Sequence, residues 1–438
     1  MSWSDHAIWW HVHPLSFLGA EPDALPPDAL PHHRLTNLAD WLDHLIGLGC
    51  NGLALGPVFA SETHGYDTVD HFRVDPRLGT EDDLSALIEQ ATARGVRVLL
   101  DGVFNHVGRS FGPFADLARH GAASSFADWF VPERDDFRTF EGHGHLVTLN
   151  HASPAVADYV TEVMDHWLER GVSGWRLDAA YAVPRPFWHT VTGRVRARHP
   201  QAWWCGEVIH GDYAAQVTEG GLDSVTQYEL WKAIWSSLND VNPHELAWSL
   251  KRHSALLDVF VPQTFVGNHD VTRIASRLRE PRHLAHALAV LFTVGGVPSV
   301  YAGDERAWRG VKEERVGGDD AVRPAFPHSP SGLGPDGLDV QRLHQTLIGI
   351  RRRHPWLVRA QPRLHTVDDT VLSYSLGDPG TGAGIAVALN YGSEPATAAV
   401  PAAAWVPAAG DATPAPGGGS VSLPPLGWCV ATASGPTP

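Results

Sequence analysis

Charged side chains directly follow four short apolar runs of this 438-residue sequence, and their types suit acid–base chemistry. The four segments read DGVFNH at 101–106, GWRLD at 174–178, CGE at 205–207 and FVGNHD at 265–270. They cluster carboxylates and histidines, and the sequence carries neither a nucleophilic serine or cysteine motif nor a phosphate-binding loop. Paired carboxylates of this kind cleave glycosidic bonds, one acting as nucleophile and the other as general acid.

A divalent metal site is the alternative interpretation of these carboxylates, because oxygen ligands also bind hard cations such as calcium. Arg176 discriminates between the two. It lies two residues from Asp178 on the same face of a strand, where its guanidinium would repel a metal and keep Asp178 ionised as a nucleophile. Glycosidic chemistry is therefore preferred, and metal-dependent hydrolysis is kept as a lesser alternative.

The elements that must position these segments alternate between short apolar runs and amphipathic stretches, as parallel strands joined by helices do. The predicted strands are 8–12, 52–55, 96–103, 174–177, 203–205, 224–227, 264–266 and 299–301. The predicted helices are 38–48, 81–94, 154–170, 186–199, 243–257, 282–294 and 340–353. Eight such strands favour a TIM (β/α)8 barrel over a doubly wound sheet, which needs a glycine-rich fingerprint after its first strand. Because strand C-termini meet at one mouth of a barrel, Asp178, Glu207 and Asp270 would share a cleft.

Two regions depart from this alternation and predict further domains. Residues 106–150 are loop-like, with a short helix near 114–119, and are interpreted as a lobe (domain B) inserted after strand three. Residues 359–432 carry alternating apolar runs separated by glycine and proline, which indicates a C-terminal antiparallel β-sandwich. The barrel then comprises 1–105 and 151–358, and 433–438 are predicted to be a disordered tail.

The composition of the sequence limits which binding partners and which cellular compartment are expected. The formal net charge of −16 argues against nucleic acid and anionic membranes, which require clustered Lys and Arg. The cysteines Cys50, Cys205 and Cys429 are far apart, which favours buried structural thiols and a reducing compartment. With no signal peptide and no apolar run long enough to span a bilayer, the protein is expected to be cytoplasmic. The 17 tryptophans hint at sugar stacking, with Trp129 as the candidate.

The four segments, in this order and spacing, resemble the signature regions of the alpha-amylase family of retaining glycoside hydrolases. The similarity extends to LVTLN at 146–150, GP at 56–57, HGYD at 64–67 and the stretch 295–305. It implies that Asp178 is the nucleophile, Glu207 the general acid and base, and Asp270 the carboxylate that holds sugar hydroxyls as the ring distorts. Asp101 is expected to have a structural role, orienting either Arg176 or the strand ends. The implied substrate-binding residues are Tyr66, His106, Arg176, His269 and Arg323.

Residues 66–84 and 104–130 are most similar to the neopullulanase, cyclomaltodextrinase and maltogenic amylase branch. That branch usually has an extra N-terminal domain that supports dimerisation, whereas this sequence begins almost at its first strand, so the oligomeric state is left open. Secreted alpha-amylases often have Lys-His where Tyr181 and Ala182 stand, so endo-hydrolysis of long starch is not expected. The residue after the implied nucleophile is Ala179, in place of valine. By the resemblance, this alanine favours cleavage of α-1,4 over α-1,6 bonds.

No cofactor is predicted, with one alternative. In secreted relatives the residue matching Asn105 helps to hold a structural calcium. The inserted lobe here offers only Asp128, Asp135 and Asp136 as acidic candidates, so calcium at Asn105 is a weak hypothesis.

The sequence thus predicts a glycosidase acting on α-1,4 bonds of maltooligosaccharides or cyclodextrins, with a neutral oligosaccharide as its partner. A transglucosylase or isomerase such as trehalose synthase, or a glucanotransferase, is the alternative, because the same covalent intermediate serves transfer. A noncatalytic sugar-binding protein of this fold is a remote alternative, since it would be expected to have lost one of the three carboxylates.

Overall fold

The computed structural model describes residues 2–315, 317–381, 383–415 and 418–433, and within these ranges eight parallel strands form a barrel. They are Trp9–Val12 (β1), Gly52–Leu55 (β2), Arg97–Gly102 (β3), Gly174–Leu177 (β4), Trp203–Gly206 (β5), Ser224–Val225 (β6), Gln263–Phe265 (β7) and Val297–Tyr301 (β8). Their order is β6-β5-β4-β3-β2-β1-β8-β7, and a parallel bridge between Thr226 and Gln263 joins the two ends. The sheet therefore closes into the predicted TIM barrel.

Helices follow the strands and pack around the barrel. They are Pro14–Phe17, Leu35–Ala39, Leu42–Leu48, Glu81–Ala93, Pro154–Leu168, Arg185–Arg198, Tyr213–Thr218, Tyr228–Asn239, Pro243–Leu257, Ile274–Arg277, His283–Thr293 and Leu338–Arg353. Helix Glu81–Ala93 begins at a capping box in which Thr80 and Asp83 exchange side-chain to backbone hydrogen bonds, as its sequence indicates. Shorter 3-10 helices occur at Trp3–His6, Gly121–Ala123, Ala127–Trp129, Phe140–Gly142, Ala180–Ala182, Asp304–Arg306, Pro330–Gly332, Pro355–Arg359 and Pro379–Thr381.

The N-terminal end of the barrel is filled by indole rings. Trp9 of β1 and Trp203 of β5 stack with their ring centroids 5.6 Å apart, and Trp3 packs edge-on against both. Gly52 of β2 makes room for this pair, because a Cβ there would lie 2.3 Å from a ring carbon of Trp9. These rings close the axis of the barrel at this end, so the residues that follow the strands face one another at the C-terminal mouth.

The inserted lobe is built from short pieces around an aromatic core. It contains helix Gly112–His120, which covers the predicted 114–119, and strands His106–Val107, Pro132–Glu133, Asp136–Phe137 and Val147–Thr148. The hairpin Phe59–Ser61 and Thr68–Val74 follows β2. Trp129 is only 8% exposed and packs against Phe111, Phe126 and Tyr159, so its predicted sugar-stacking role is wrong.

The C-terminal domain consists of two antiparallel sheets, in agreement with the prediction. One contains Arg363–Val367, Val371–Asp378, Ala383–Asn390, Trp428–Ala433 and Trp405–Gly410, and the other Ala396–Ala399, Ser420–Leu423 and Thr413–Pro414. Apolar side chains, among them Val371, Val421 and Cys429, lie between them. The larger sheet packs on helix His283–Thr293, where the hydroxyls of Thr293 and Tyr374 are 2.7 Å apart.

The proposed residue boundaries of the domains remain predictions. Ala433, the first residue of the predicted tail, is the last residue of strand Trp428–Ala433, and 434–438 lie outside the described residues. Cys50, Cys205 and Cys429 are free and buried, as expected of structural thiols. In the described part of the chain, no helix combines the length and apolarity needed to cross a membrane.

Candidate active site

Arg176 lies at the centre of the C-terminal mouth and contacts carboxylates from four different strand ends. Its Nη1 lies 3.0 Å from Asp178 Oδ1, and its Nη2 lies 2.7 Å from Glu207 Oε1 and 4.0 Å from Asp270 Oδ2. The fourth carboxylate, Asp101, is the direct neighbour of Arg176 in the register of β3 and β4. The structure therefore brings together the three carboxylates that the sequence singles out.

Asp101 fixes the position of Arg176, which is one of the two structural roles expected of it from the sequence. Both of its carboxylate oxygens accept hydrogen bonds from Arg176 Nη1, at 2.8 and 2.7 Å, and Asp101 is fully buried. A guanidinium bound on one side by a buried carboxylate presents its remaining donors in fixed directions. Arg176 is thus a preorganised cation facing Asp178 and Glu207.

The backbone turn after Asp178 brings Glu207 beside it. Ala179 adopts a left-handed conformation with φ 44°, which is uncommon for a residue other than glycine. Its N–H donates to Glu207 Oε2 at 3.1 Å, and the Tyr228 hydroxyl donates to Glu207 Oε1 at 3.3 Å. Strained backbone of this kind persists where surrounding contacts impose it, and such positions cluster at active sites.

Asp270 follows β7 and is held by two groups that the sequence also singles out. Arg323 Nη2 donates to its Oδ1 at 2.7 Å, and His269 Nε2 lies 2.9 Å from its Oδ2. The Tyr66 hydroxyl contacts the same His269 nitrogen and lies 3.3 Å from Asp101. Asp270 keeps 29% of its side chain exposed, so it faces the cleft with its orientation fixed.

His106 has one buried ring nitrogen, Nε2, that lies beside Asp178 without a hydrogen-bond partner among the described residues. The Asn105 amide donates to its Nδ1 at 3.1 Å, which places the ring proton on Nε2. That nitrogen has no hydrogen-bond partner within the described residues and lies 3.9 Å from Asp178 Oδ2. Burial lowers the pKa of His106 to about 3, so the ring is neutral at pH 7 and offers a single N–H donor beside Asp178.

The electrostatics of Asp178 differ from the sequence expectation. Arg176 opposes its protonation, yet burial outweighs that effect and raises the pKa of Asp178 well above its usual range, with Glu207 adding repulsion. The reason is that Arg176 shares its single charge among several carboxylates. In contrast, the pKa of Asp270 lies well below its usual range, because the nearby His269 and Arg323 outweigh its burial.

The surroundings of Asn105 do not form a cation site. Its amide is directed at His106, Asp136 pairs with Arg109 at 2.6 Å, and Asp128 accepts from Ser153 at 2.7 Å. Among the residues that the structure describes, no group of three or more His, Cys, Asp or Glu could hold a metal ion. The residues present therefore do not fit the calcium alternative.

Several residues of the site do not follow from the sequence reasoning. Tyr228 directly follows the sixth predicted strand, and Asn268, which donates to the Tyr228 hydroxyl at 2.9 Å, lies inside the motif at 265–270. The feature that could have identified both residues is their position at the end of a predicted strand. Phe140, whose ring stacks on His106, belongs to the inserted lobe, where neither spacing nor periodicity indicates proximity to the cleft.

Together, the fold and the site define a (β/α)8-barrel protein with the carboxylate set of a glycosidase. The sequence model described as the alpha-amylase catalytic domain matches residues 12–336, more than half of the chain. The chain belongs to the alpha-amylase family, which confirms the resemblance seen in its motifs.

Two relatives carry names from the branch that the sequence indicates. The cyclomaltodextrinase of Geobacillus thermopakistaniensis (strain MAS1) is 30% identical over 397 residues, which cover 84% of this chain and 66% of that protein. The intracellular maltogenic amylase of Bacillus subtilis is 29% identical over 333 residues, covering 69% of this chain and 56% of that protein. The chain thus spans about two thirds or less of the length of these relatives.

A solved structure matches over almost the full length. The cyclic alpha-maltosyl-(1→6)-maltose hydrolase from Arthrobacter globiformis has a TM-score of 0.82 and 25% identity, covering 99% of this chain and 100% of that chain. That protein has also been solved in complex with cyclic alpha-maltosyl-(1→6)-maltose and with maltose.

Proposed function

We propose that the protein is a retaining glycoside hydrolase that cleaves α-1,4-glucosidic bonds in maltooligosaccharides or cyclodextrins. The observation that carries this proposal is the convergence of Asp178, Glu207 and Asp270 on Arg176 at the open mouth of an alpha-amylase-family barrel. The substrate class rests on the names of the relatives, cyclomaltodextrinase and maltogenic amylase, and on the maltose bound by the Arthrobacter hydrolase.

Asp178 is oriented for nucleophilic attack. Arg176 binds its Oδ1, which leaves Oδ2 directed toward His106 and the cleft. In the first step Oδ2 attacks the anomeric carbon while Glu207 protonates the departing oxygen, giving a glycosyl ester on Asp178. In the second step Glu207 takes a proton from water, which attacks the same carbon and releases the sugar with its configuration retained.

The remaining side chains bind the glucosyl unit. The unpartnered Nε2–H of His106 donates to a hydroxyl beside Asp178, and Asp270 accepts from hydroxyls as the ring distorts toward the transition state. Arg323 and His269 hold Asp270 ionised for this task. Tyr66, fixed by His269 and Asp101, forms the wall against which the ring lies.

A cytoplasmic location with imported oligosaccharides as substrates fits this assignment. It is supported by the intracellular maltogenic amylase among the relatives and by three buried, unpaired cysteines.

The test is incubation of the enzyme with maltotriose, cyclodextrin, maltose, trehalose and sucrose, with products resolved over time. We expect hydrolysis of maltotriose and cyclodextrin to α-anomers of shorter sugars. Asp178→Asn and Glu207→Gln should each lower kcat by roughly four orders of magnitude while leaving the circular dichroism spectrum unchanged, as expected for residues that act as a catalytic unit.

Asp158→Asn is a matched control, since Asp158 is an exposed carboxylate on helix Pro154–Leu168 that pairs with Arg194. Its activity should equal that of the wild type. Near-normal turnover in Asp178→Asn or Glu207→Gln would overturn the assignment, and predominant transfer or isomerisation products would replace hydrolysis by a transglucosylase function.

A further inference from the structure

Residues 140–145 of the inserted lobe, here called the strap, lie against the catalytic cleft and are attached at both ends. At one end the Phe140 ring stacks on His106, with ring centroids 4.7 Å apart and planes 13° from parallel. At the other end Arg109 Nε donates to the Gly144 carbonyl at 2.6 Å, and Arg109 itself pairs with Asp136. Both attachments lie within the inserted lobe, and the first places the strap against His106, whose Nε2 is 3.9 Å from Asp178 Oδ2.

Between these attachments the strap makes a direct bond to the barrel. Glu141 has φ 49°, a left-handed conformation that favours glycine, and its Oε1 accepts a hydrogen bond of 2.7 Å from the Tyr181 hydroxyl. Tyr181 lies three residues after Asp178 in the loop that follows β4. The Glu141–Tyr181 bond therefore links the lobe to the barrel next to the proposed nucleophile.

The bond lies on the side of the cleft where the leaving group departs. Tyr66, Asp270 and Arg323 gather on one side, after β2, β7 and β8, and bind the glucosyl unit. Tyr181 is on the other side, since its N–H donates to the Glu207 backbone carbonyl at 3.4 Å and its ring lies 5.1 Å from that of His210. In a double displacement the general acid stands beside the departing oxygen, so the neighbours of Glu207 face the leaving group.

We propose that the Glu141–Tyr181 hydrogen bond restricts the leaving-group side of the cleft and thereby makes the enzyme prefer short α-1,4-glucans over long ones. This inference rests on the proposed function. A short substrate ends before the strap, whereas a long chain must displace the strap and break the bond for each productive binding event. The cost of breaking the bond then falls on long substrates alone.

The test compares kcat/KM for a long linear α-1,4-glucan with kcat/KM for maltotriose in Tyr181→Phe, Glu141→Ala and the double variant. Each single variant should raise the ratio of long to short substrate by about fivefold, the effect that one hydrogen bond can have. The double variant should raise it no further, because either change alone removes the same bond. Glu133→Ala, which alters another exposed glutamate of the lobe, should leave the ratio at the wild-type value.

Three outcomes would overturn the inference. One is a ratio that stays within about twofold of wild type in both single variants. Another is a double variant in which the two single effects multiply, because that would mean that Glu141 and Tyr181 act independently. The third is a wild-type enzyme that hydrolyses no α-1,4-linked sugar, which would overturn the proposed function and the role of the strap together. Normal hydrolysis with an unchanged ratio in the variants would overturn the role of the strap alone.

Discussion

The Asp178 carboxylate combines burial with the charge that its proposed chemistry requires. Burial beside Glu207 raises its pKa despite the contact with Arg176. A carboxyl group whose pKa is higher in the folded than in the unfolded chain binds more protons when folded. Its contribution to stability therefore becomes less favourable as the pH rises from the unfolded pKa through the folded one.

We predict that Asp178→Asn raises the thermal midpoint at pH 7 while lowering kcat by roughly four orders of magnitude. The amide removes the buried charge, and Arg176 keeps its contacts with Asp101 and Glu207, so no cation is left unpaired. Thermal unfolding between pH 4 and pH 8 should show a difference from wild type that grows with pH.

Asp270→Asn is the matched comparison for that experiment and should have the opposite sign. His269 and Arg323 hold the pKa of Asp270 well below its usual range, so its charge stabilises the folded state above the unfolded pKa, and this stabilisation is lost as the pH falls through the folded pKa. Its replacement should lower the midpoint at pH 7. An Asp178→Asn shift of equal size at pH 4 and pH 8 would contradict the electrostatic explanation.

Among the elements, β1 and β2 show how packing inside the barrel requires glycine at position 52. Gly52 sits against the Trp9 ring, which is itself stacked on Trp203 and cannot easily move. Gly52→Ala should therefore lower the free energy of unfolding by about 1–3 kcal/mol, the usual cost of overpacking a filled core. Urea denaturation would measure it.

Gly47 provides the control for this substitution. It lies on the exposed side of helix Leu42–Leu48, and a Cβ there would meet nothing within 4 Å. Gly47→Ala should leave stability unchanged or raise it by up to about 1 kcal/mol, because alanine is the better helix former. Equal destabilisation by both substitutions would show that packing against Trp9 is not the cause.

The elements that the sequence predicts well are those with strong local patterns. The sequence predicts all eight barrel strands as apolar runs and most helices as long amphipathic stretches. Helices Tyr213–Thr218 and Tyr228–Asn239 are not predicted from the sequence. The cap of the first, Asp212, resembles an ordinary loop residue, and the cap of the second, Gln227, is the last residue of the predicted strand 224–227. The convergence of carboxylates was predictable because strand ends of one barrel share a mouth, whereas the position of Phe140 depends on how the lobe folds over it.

At the scale of the whole molecule, the formal net charge is −16, yet the described residues contain no group of three or more His, Cys, Asp or Glu that could hold a metal ion. Acidic groups near Asn105 are engaged by Arg109 and Ser153. We therefore expect excess chelator to change neither activity nor the thermal midpoint. Loss of activity that calcium restores would contradict this expectation and support the calcium alternative at Asn105.

Among the described residues, a tryptophan plug lies at the end of the barrel away from the cleft. Trp3, Trp9 and Trp203 close the far end, so nothing can pass through the axis of the barrel. In a double displacement at such a blind end, the first product must withdraw through the same opening by which water then arrives. A sugar that has not yet left this mouth therefore competes with water for the covalent intermediate, which links the closed barrel axis to the balance between transfer and hydrolysis.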